Sequence, residues 1–210
     1  MSAQVVTKEI DISGIDGLVL VVIDLQKNGL QQDSERGIPL MGGFAEVVDR
    51  SSSLLDVARS LNIPIVFTME EHRDDLLDIG RELDGSEAIH CLQSDPMTEI
   101  ADELGRRPNE ALVRKRRYSV FFGTDLQIIL RGHRAKSLIL LGALTDVCVH
   151  YSFVDAHQND YRTFVVEDCV IGSSEEAHSA ALAAMEYLQS GAVVTSEEVI
   201  REIFRVQKVG

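Results

Sequence analysis

Apolar residues follow two alternating patterns along this chain. Short unbroken runs rich in branched side chains occur at Leu18–Ile23, Ile63–Thr68, Ala111–Arg114, Ser137–Leu141, Thr163–Glu167 and Ala192–Thr195. Each reads as a strand. Continuous apolar character, without in-out alternation, means that both faces are covered, as in a parallel sheet between two helical layers. Between these runs, segments such as Phe44 to Leu61 and Glu175 to Leu188 carry apolar residues at helical spacing and are long enough for crossover helices. The pattern predicts an α/β fold over residues 1–210, a single three-layer α/β/α domain whose doubly wound, six-stranded sheet is mostly parallel.

That fold class locates the chemistry before any residue is considered. Ligands of open α/β sheets bind beyond the carboxyl ends of the strands, here Asp24, Thr68 to His72, Arg114 to Lys115, Gly142 to Cys148 and Asp168. Polar residues interrupt the apolar runs at these places.

Composition narrows the partners. A formal charge of -14 over 210 residues repels nucleic acid and anionic lipid, so neither is expected as a partner. Cys91, Cys148 and Cys169 are too few and scattered for a disulfide framework. No C-x-x-C pair offers a structural zinc site. The first residues lack a basic segment followed by an apolar stretch, and no apolar run reaches the roughly 20 residues of a membrane span. A soluble cytoplasmic protein is expected.

Among the strand-end residues, Cys148 sits where an apolar run gives way to a helical pattern. A helix N-terminus presents N–H groups that favour thiolate over thiol and can hold an oxyanion. Its alternative is a small buried hydrophobe. Asp24 follows a fully apolar run, where partial desolvation raises a carboxyl pKa and suits it to proton transfer; capping a loop or helix is its other reading. Lys115 ends the third run beside Arg116 and Arg117, as a reactive cation or as a surface lysine.

In combination the three fall into ordered motifs. Val21-Val-Ile-Asp-Leu-Gln26, Lys115-x-x-x-Ser-Val-Phe-x-Gly-Thr124 and Gly142-Ala-Leu-Thr-Asp-Val-Cys-Val149 resemble the signature segments of the isochorismatase-like cysteine hydrolases. Asp155-Ala, Tyr161 to Asp168 and Ser174-x-x-x-His178 continue the likeness, which spans roughly residues 17 to 200. The resemblance implies an amidohydrolase with Cys148 as nucleophile, Asp24 as general acid/base and Lys115 as positive partner. It also implies backbone N–H groups of Leu144 and Cys148 as the oxyanion hole and a cis Ala143–Leu144 peptide. A homo-oligomer, dimer or tetramer, goes with it, and no cofactor or metal is called for.

The stretch Thr68-Met-Glu-Glu-His-Arg-Asp-Asp-Leu76 resembles relatives that cleave ureido or carbamoyl groups, which points to a small amide or ureide as substrate. Gln26, Glu71, His72, Tyr118 and Phe121 are candidate substrate contacts. Two alternatives stay open. Nicotinamidase relatives place an Asp-x-His pair in this loop and a further His near a Cys before the third strand. Here Glu70, His72 and His90-Cys91 stand there, so a metal-assisted amidase is one alternative. A binding protein that kept the fold without turnover is the other. His150 and His157 fall within the helix after Cys148, with His150 expected to be structural or interfacial, Cys169 a packed thiol, and Asn28 to Gly43 either a cover over the site, a plain connection or an oligomer contact.

Overall fold

The computed structural model describes residues 16–31, 38–85 and 87–207. Six strands form one sheet: β1 (Leu18–Ile23), β2 (Ile65–Glu70), β3 (Ala111–Lys115), β4 (Ser137–Ala143), β5 (Arg162–Ile171) and β6 (Val193–Val194). Their order across the sheet is β3-β2-β1-β4-β5-β6, with every pairing parallel. β1 is buried along its whole length, as its unbroken apolar run requires.

The side-chain alternation of a strand divides β1 between two cores. Leu18, Leu20 and Val22 pack with α1 (Phe44–Ser60) and with Val199 and Ile203 of α5 (Ser196–Gln207). Val19, Val21 and Ile23 face the other side, against α2 (Leu126–Gly132), α3 (His150–Gln158) and α4 (Glu175–Leu188). The three layers follow from this split.

Local signals fix the ends. Ser174 caps α4 by accepting the Ala177 N–H at 3.2 Å. Thr195 and Glu198 form a reciprocal capping box at the start of α5. Asp168 accepts the N–H and hydroxyl of Ser196 at 2.8 and 2.5 Å, so this strand-end carboxylate, expected near the chemistry, instead ties α5 to β5. Cys169 is fully buried in the first core, as a packed thiol. Residues 32–37 of the suggested cover lie outside the described residues. Among the described residues no helix is long and apolar enough to cross a membrane.

The order reverses direction between β1, which continues to β2 and β3 on one side, and β4, which leads to β5 and β6 on the other. A crevice at this switch point is where an α/β sheet collects its functional side chains.

Candidate active site at the carboxyl edge of the sheet

Four neighbouring strands each deliver one reactive group to that edge: Lys115 ends β3, Glu70 ends β2, Asp24 follows β1 and Cys148 follows β4. Asp24 turns the chain with φ 50°, a left-handed conformation that aspartate tolerates better than most residues. Its Oδ1 accepts the Thr68 hydroxyl at 2.8 Å. Beyond β4 the Ala143–Leu144 peptide is cis, as the resemblance implied. The chain then enters a π turn, Thr145–Val149, which runs directly into α3, so Cys148 sits inside a helical turn rather than at its first residue. Such turns are frequent at functional sites.

Lys115 is fully buried and its Nζ is shared by three partners. Asp24 Oδ2 lies at 2.7 Å, Glu70 Oε2 is in close contact, and Cys148 Sγ accepts at 3.4 Å. Cys148 Sγ is also 3.6 Å from Glu70 Oε2. Glu70 was read from the sequence only as a possible metal ligand, yet it belongs to the centre of this group. Its place was readable in one respect: it ends the strand between β1 and β3, whose own ends carry Asp24 and Lys115.

The two carboxylates titrate in opposite directions. Burial pushes Asp24 above its usual range; Lys115 opposes this and Glu70 adds to it. Burial acts the same way on Glu70, but Lys115, His72 and His90 outweigh it and hold that carboxyl well below its usual range. Burial works against the Lys115 ammonium, yet Asp24, Cys148 and Glu70 raise its pKa well above the ordinary value. The Cys148 thiol is pushed well up by burial, with Lys115 opposing and Asp24 and Glu70 reinforcing. A helix end favours thiolate, whereas desolvation and two facing carboxylates favour the thiol, the form from which Asp24 can take a proton. Asp24 Oδ2 takes no aligned hydrogen bond among the described residues, although Lys115 is close.

The turn carrying Cys148 is held on both sides. Ser152 donates to the Cys148 carbonyl at 2.5 Å and accepts the Val120 N–H at 3.1 Å, while Ser119 donates to Asp155 at 2.5 Å. These bonds join the Lys115 motif to the Cys148 motif. On the other side Thr145 pairs with His178, and Asp146 with Ser173.

Beside Glu70 lies a second cluster. Donor atoms of Glu70, His72, Glu82 and His90, all buried, lie within 4.8 Å of one another. His90 Nε2 is 2.9 Å from Glu70 Oε1, and His72 Nε2 is 3.0 Å from Glu82 Oε2. Burial lowers the His72 pKa, but Glu70 and Glu82 raise it to about 9. Both ring nitrogens of His72 and both oxygens of Glu82 lack aligned hydrogen-bond partners among the described residues. His90 Nδ1 is taken by the Ala88 carbonyl at 2.7 Å, which orients Nε2 inward, as in the outer support of many metal-bound histidines. Two carboxylates and two imidazoles make a chemically suitable set for a divalent cation. Glu82 had no signal in the sequence, since a long polar loop returns it here.

The candidate substrate contacts are placed unevenly. Gln26 is buried, and its amide spans the backbone of Glu70 and the Thr98 carbonyl, so it holds the strand ends together. Glu71 is engaged by Arg114 and Arg116. His72 is fully buried in the four-donor cluster. Phe121 packs towards Tyr161 and the second core. Tyr118 is partly exposed and stacked edge-on with Tyr151, and its hydroxyl pKa is pushed up by burial and by Glu87, Glu82, Glu70 and Cys148.

Comparison with known proteins gives the chain a family and a fold. The isochorismatase domain family matches residues 19–199. A probable isochorismatase of Pseudomonas chlororaphis is 32% identical over 192 residues, covering 87% of this chain and 84% of the relative. A ureidoacrylate amidohydrolase of Rhizobium rhizogenes is 26% identical over 170 residues, covering 71% and 68%. Among solved structures, the pyrazinamidase of Pyrococcus horikoshii in complex with zinc superimposes with a TM-score of 0.74 at 25% identity, covering 85% of this chain and 99% of that one.

Proposed function

The chain belongs to the isochorismatase family of hydrolases, and on that premise we propose that it is a cysteine-dependent amidohydrolase that cleaves a C–N bond of a small amide or ureide. The observation that carries this reading is the contact of Lys115 Nζ with both Cys148 Sγ and Asp24 Oδ2, out of reach of bulk water. Environments that push two carboxyl pKa values apart separate their tasks. Asp24, raised, is the proton carrier; Glu70, held ionised, anchors Lys115.

In this mechanism Asp24 takes the Cys148 thiol proton as sulfur attacks the carbonyl or ureido carbon. Lys115 stabilises the forming thiolate, and the N–H groups of Leu144 and Cys148 receive the tetrahedral oxyanion. Asp24 returns the proton to the leaving amine, giving a thioester or thiocarbamate on Cys148. It then deprotonates the water that hydrolyses this intermediate and restores the thiol. A protonation mechanism for vinyl-ether cleavage, as isochorismatases use, gives no task to a buried thiol held between Lys115 and Asp24.

The test is ammonia or amine release from a panel of amides and ureides by the wild type and by Cys148→Ala. Release by the wild type alone supports the reading, and equal release by both rejects it.

A second reading has its own observation, the buried His72 and Glu82 atoms that lie close together without aligned hydrogen bonds among the described residues. In a metal-assisted amidase, Glu70, His72, Glu82 and His90 would hold a divalent ion whose Lewis acidity polarises a bound substrate. Metal analysis, with a thermal-shift titration of chelator-treated protein by zinc or manganese, separates the readings. Saturable stabilisation that is lost in Glu82→Gln supports the ion site; full activity without metal rejects metal assistance.

A further inference from the structure

Oxyanion stabilisation by backbone N–H groups depends on where a turn points, and the Leu144–Cys148 turn is steered by a segment that carries none of the reacting groups. Leu144 is extended (φ -83°, ψ 144°), and its carbonyl accepts both the Val147 and Val149 N–H groups at 3.1 Å. The direction taken by the following residues therefore decides where the Cys148 N–H lies. Those residues, Thr145 and Asp146, are both gripped by residues 173–178, between β5 and the first turn of α4. The fully buried Thr145 shares a 2.9 Å hydrogen bond between Oγ1 and His178 Nδ1. Asp146 accepts the Ser173 N–H on Oδ1 at 2.8 Å and the Ser173 hydroxyl on Oδ2 at 2.6 Å.

The grip is close. A Cβ at Gly172 would lie 2.7 Å from His178 Cβ and 2.9 Å from Asp146 Oδ1, so only glycine lets the two segments approach this far. The Ser174 cap sets the first turn of α4, and the His178 N–H completes that turn by donating to the Ser174 carbonyl at 2.9 Å. The position of His178 is thereby set by the start of a helix rather than by a free loop.

We propose that Asp146, Ser173 and His178 are positioning residues that hold the oxyanion-binding turn, so that their loss impairs acyl transfer to Cys148 while leaving the reactivity of its sulfur intact. This rests on the reading of Cys148 as nucleophile. The physical basis is that two reactions of the same thiol differ in one respect. Acylation by p-nitrophenyl acetate forms a C–S bond and expels p-nitrophenolate through a tetrahedral oxyanion. Alkylation by iodoacetamide forms a C–S bond and expels iodide with no oxyanion at all. A displaced N–H donor affects only the first; losing or misplacing one costs about 100-fold.

The experiment measures both rates at Cys148, by peptide mass spectrometry, in wild type, Asp146→Ala, Ser173→Ala, His178→Ala and Asp146→Asn, with melting temperatures alongside. Ser173→Ala removes a single hydroxyl and serves where Asp146→Ala does not fold. Expected are acetylation rates down about 100-fold in the alanine variants, alkylation within about twofold of wild type, and substantial recovery of acetylation in Asp146→Asn, which keeps an acceptor for the Ser173 N–H. A parallel fall of both rates would mean a merely structural role and would overturn the proposal, as would unchanged acetylation. A wild type that shows no acetyl adduct on Cys148 after rapid acid quench and releases p-nitrophenolate no faster than Cys148→Ala would defeat the nucleophile itself, and this inference with it.

Discussion

Replacing Lys115 with methionine probes both the stability and the chemistry of the buried centre. The ammonium is fully buried and faces Asp24 Oδ2 at 2.7 Å, Glu70 in close contact and Cys148 Sγ at 3.4 Å. Lys115→Met leaves two buried carboxylates, 9% and 7% exposed at their side chains, without their cation. Removing one partner of a buried ion pair costs about 3 to 5 kcal/mol. In a chain of this size that corresponds to a fall in melting temperature of about 6 to 20 °C. Neutralising one abandoned carboxylate should recover part of the loss, so Lys115→Met/Glu70→Gln melts above Lys115→Met alone. The same change removes the influence that opposes burial at the thiol, so the Cys148 pKa rises further and alkylation at neutral pH slows. Differential scanning calorimetry and timed iodoacetamide labelling read the two effects. A melting temperature within 2 °C of wild type by about the precision of such scans, together with unchanged labelling, would refute the reasoning.

Other predictions address single links. Cys148→Ala abolishes turnover while circular dichroism and melting temperature stay near wild type, because a small thiol at the rim of the core contributes little packing. Gly142→Ala breaks the sheet, since its Cβ would meet the Ile23 carbonyl oxygen at 2.0 Å and its φ is +137°; a loss above about 4 kcal/mol, seen as insoluble or unfolded protein, is expected. Glu110 is paired with Arg59 at 2.8 and 3.1 Å; burial pushes its carboxyl up, but Arg59 and the Arg107 N–H hold it below the usual range. A depressed folded pKa stabilises above the unfolded value and loses that contribution as pH falls through the folded one. Urea denaturation should therefore show a wild-type advantage over Glu110→Gln at pH 7 that shrinks below about pH 4.5, and an advantage independent of pH would contradict the pairing.

Much of the fold was legible because buried parallel strands leave unbroken apolar runs. All six observed strands overlap the six expected ones, and α4 spans Glu175–Leu188 as its spacing indicated. The strand ends were less legible. β2 runs on through Glu70, a polar residue that the pattern assigned to a loop, and this displaced Glu70 from the expected centre to a possible metal ligand. β5 likewise runs past its expected end at Glu167, through Asp168 to Ile171, beyond an irregularity in its pairing with β4 between Leu140 and Gly142. Asp24, Lys115 and Cys148 were readable since each follows or ends an apolar run. Glu82 was not, because only the path of the 71–91 loop brings it to His72. The influences on the thiol were legible only in part, for a related reason. A helix end is visible in a sequence, whereas the carboxylates that face it across the sheet are visible only in three dimensions.

The central claim is that Cys148 is acylated during turnover. Rapid acid quench of wild-type enzyme with a substrate found in the amide and ureide panel, followed by peptide mass spectrometry, reads this directly. The account predicts an acyl or carbamoyl adduct on Cys148 that disappears as product forms, and that fails to form in Asp24→Asn, which has no base for the thiol proton. Turnover by Cys148→Ala, or an adduct confined to Cys91 or Cys169, would contradict it.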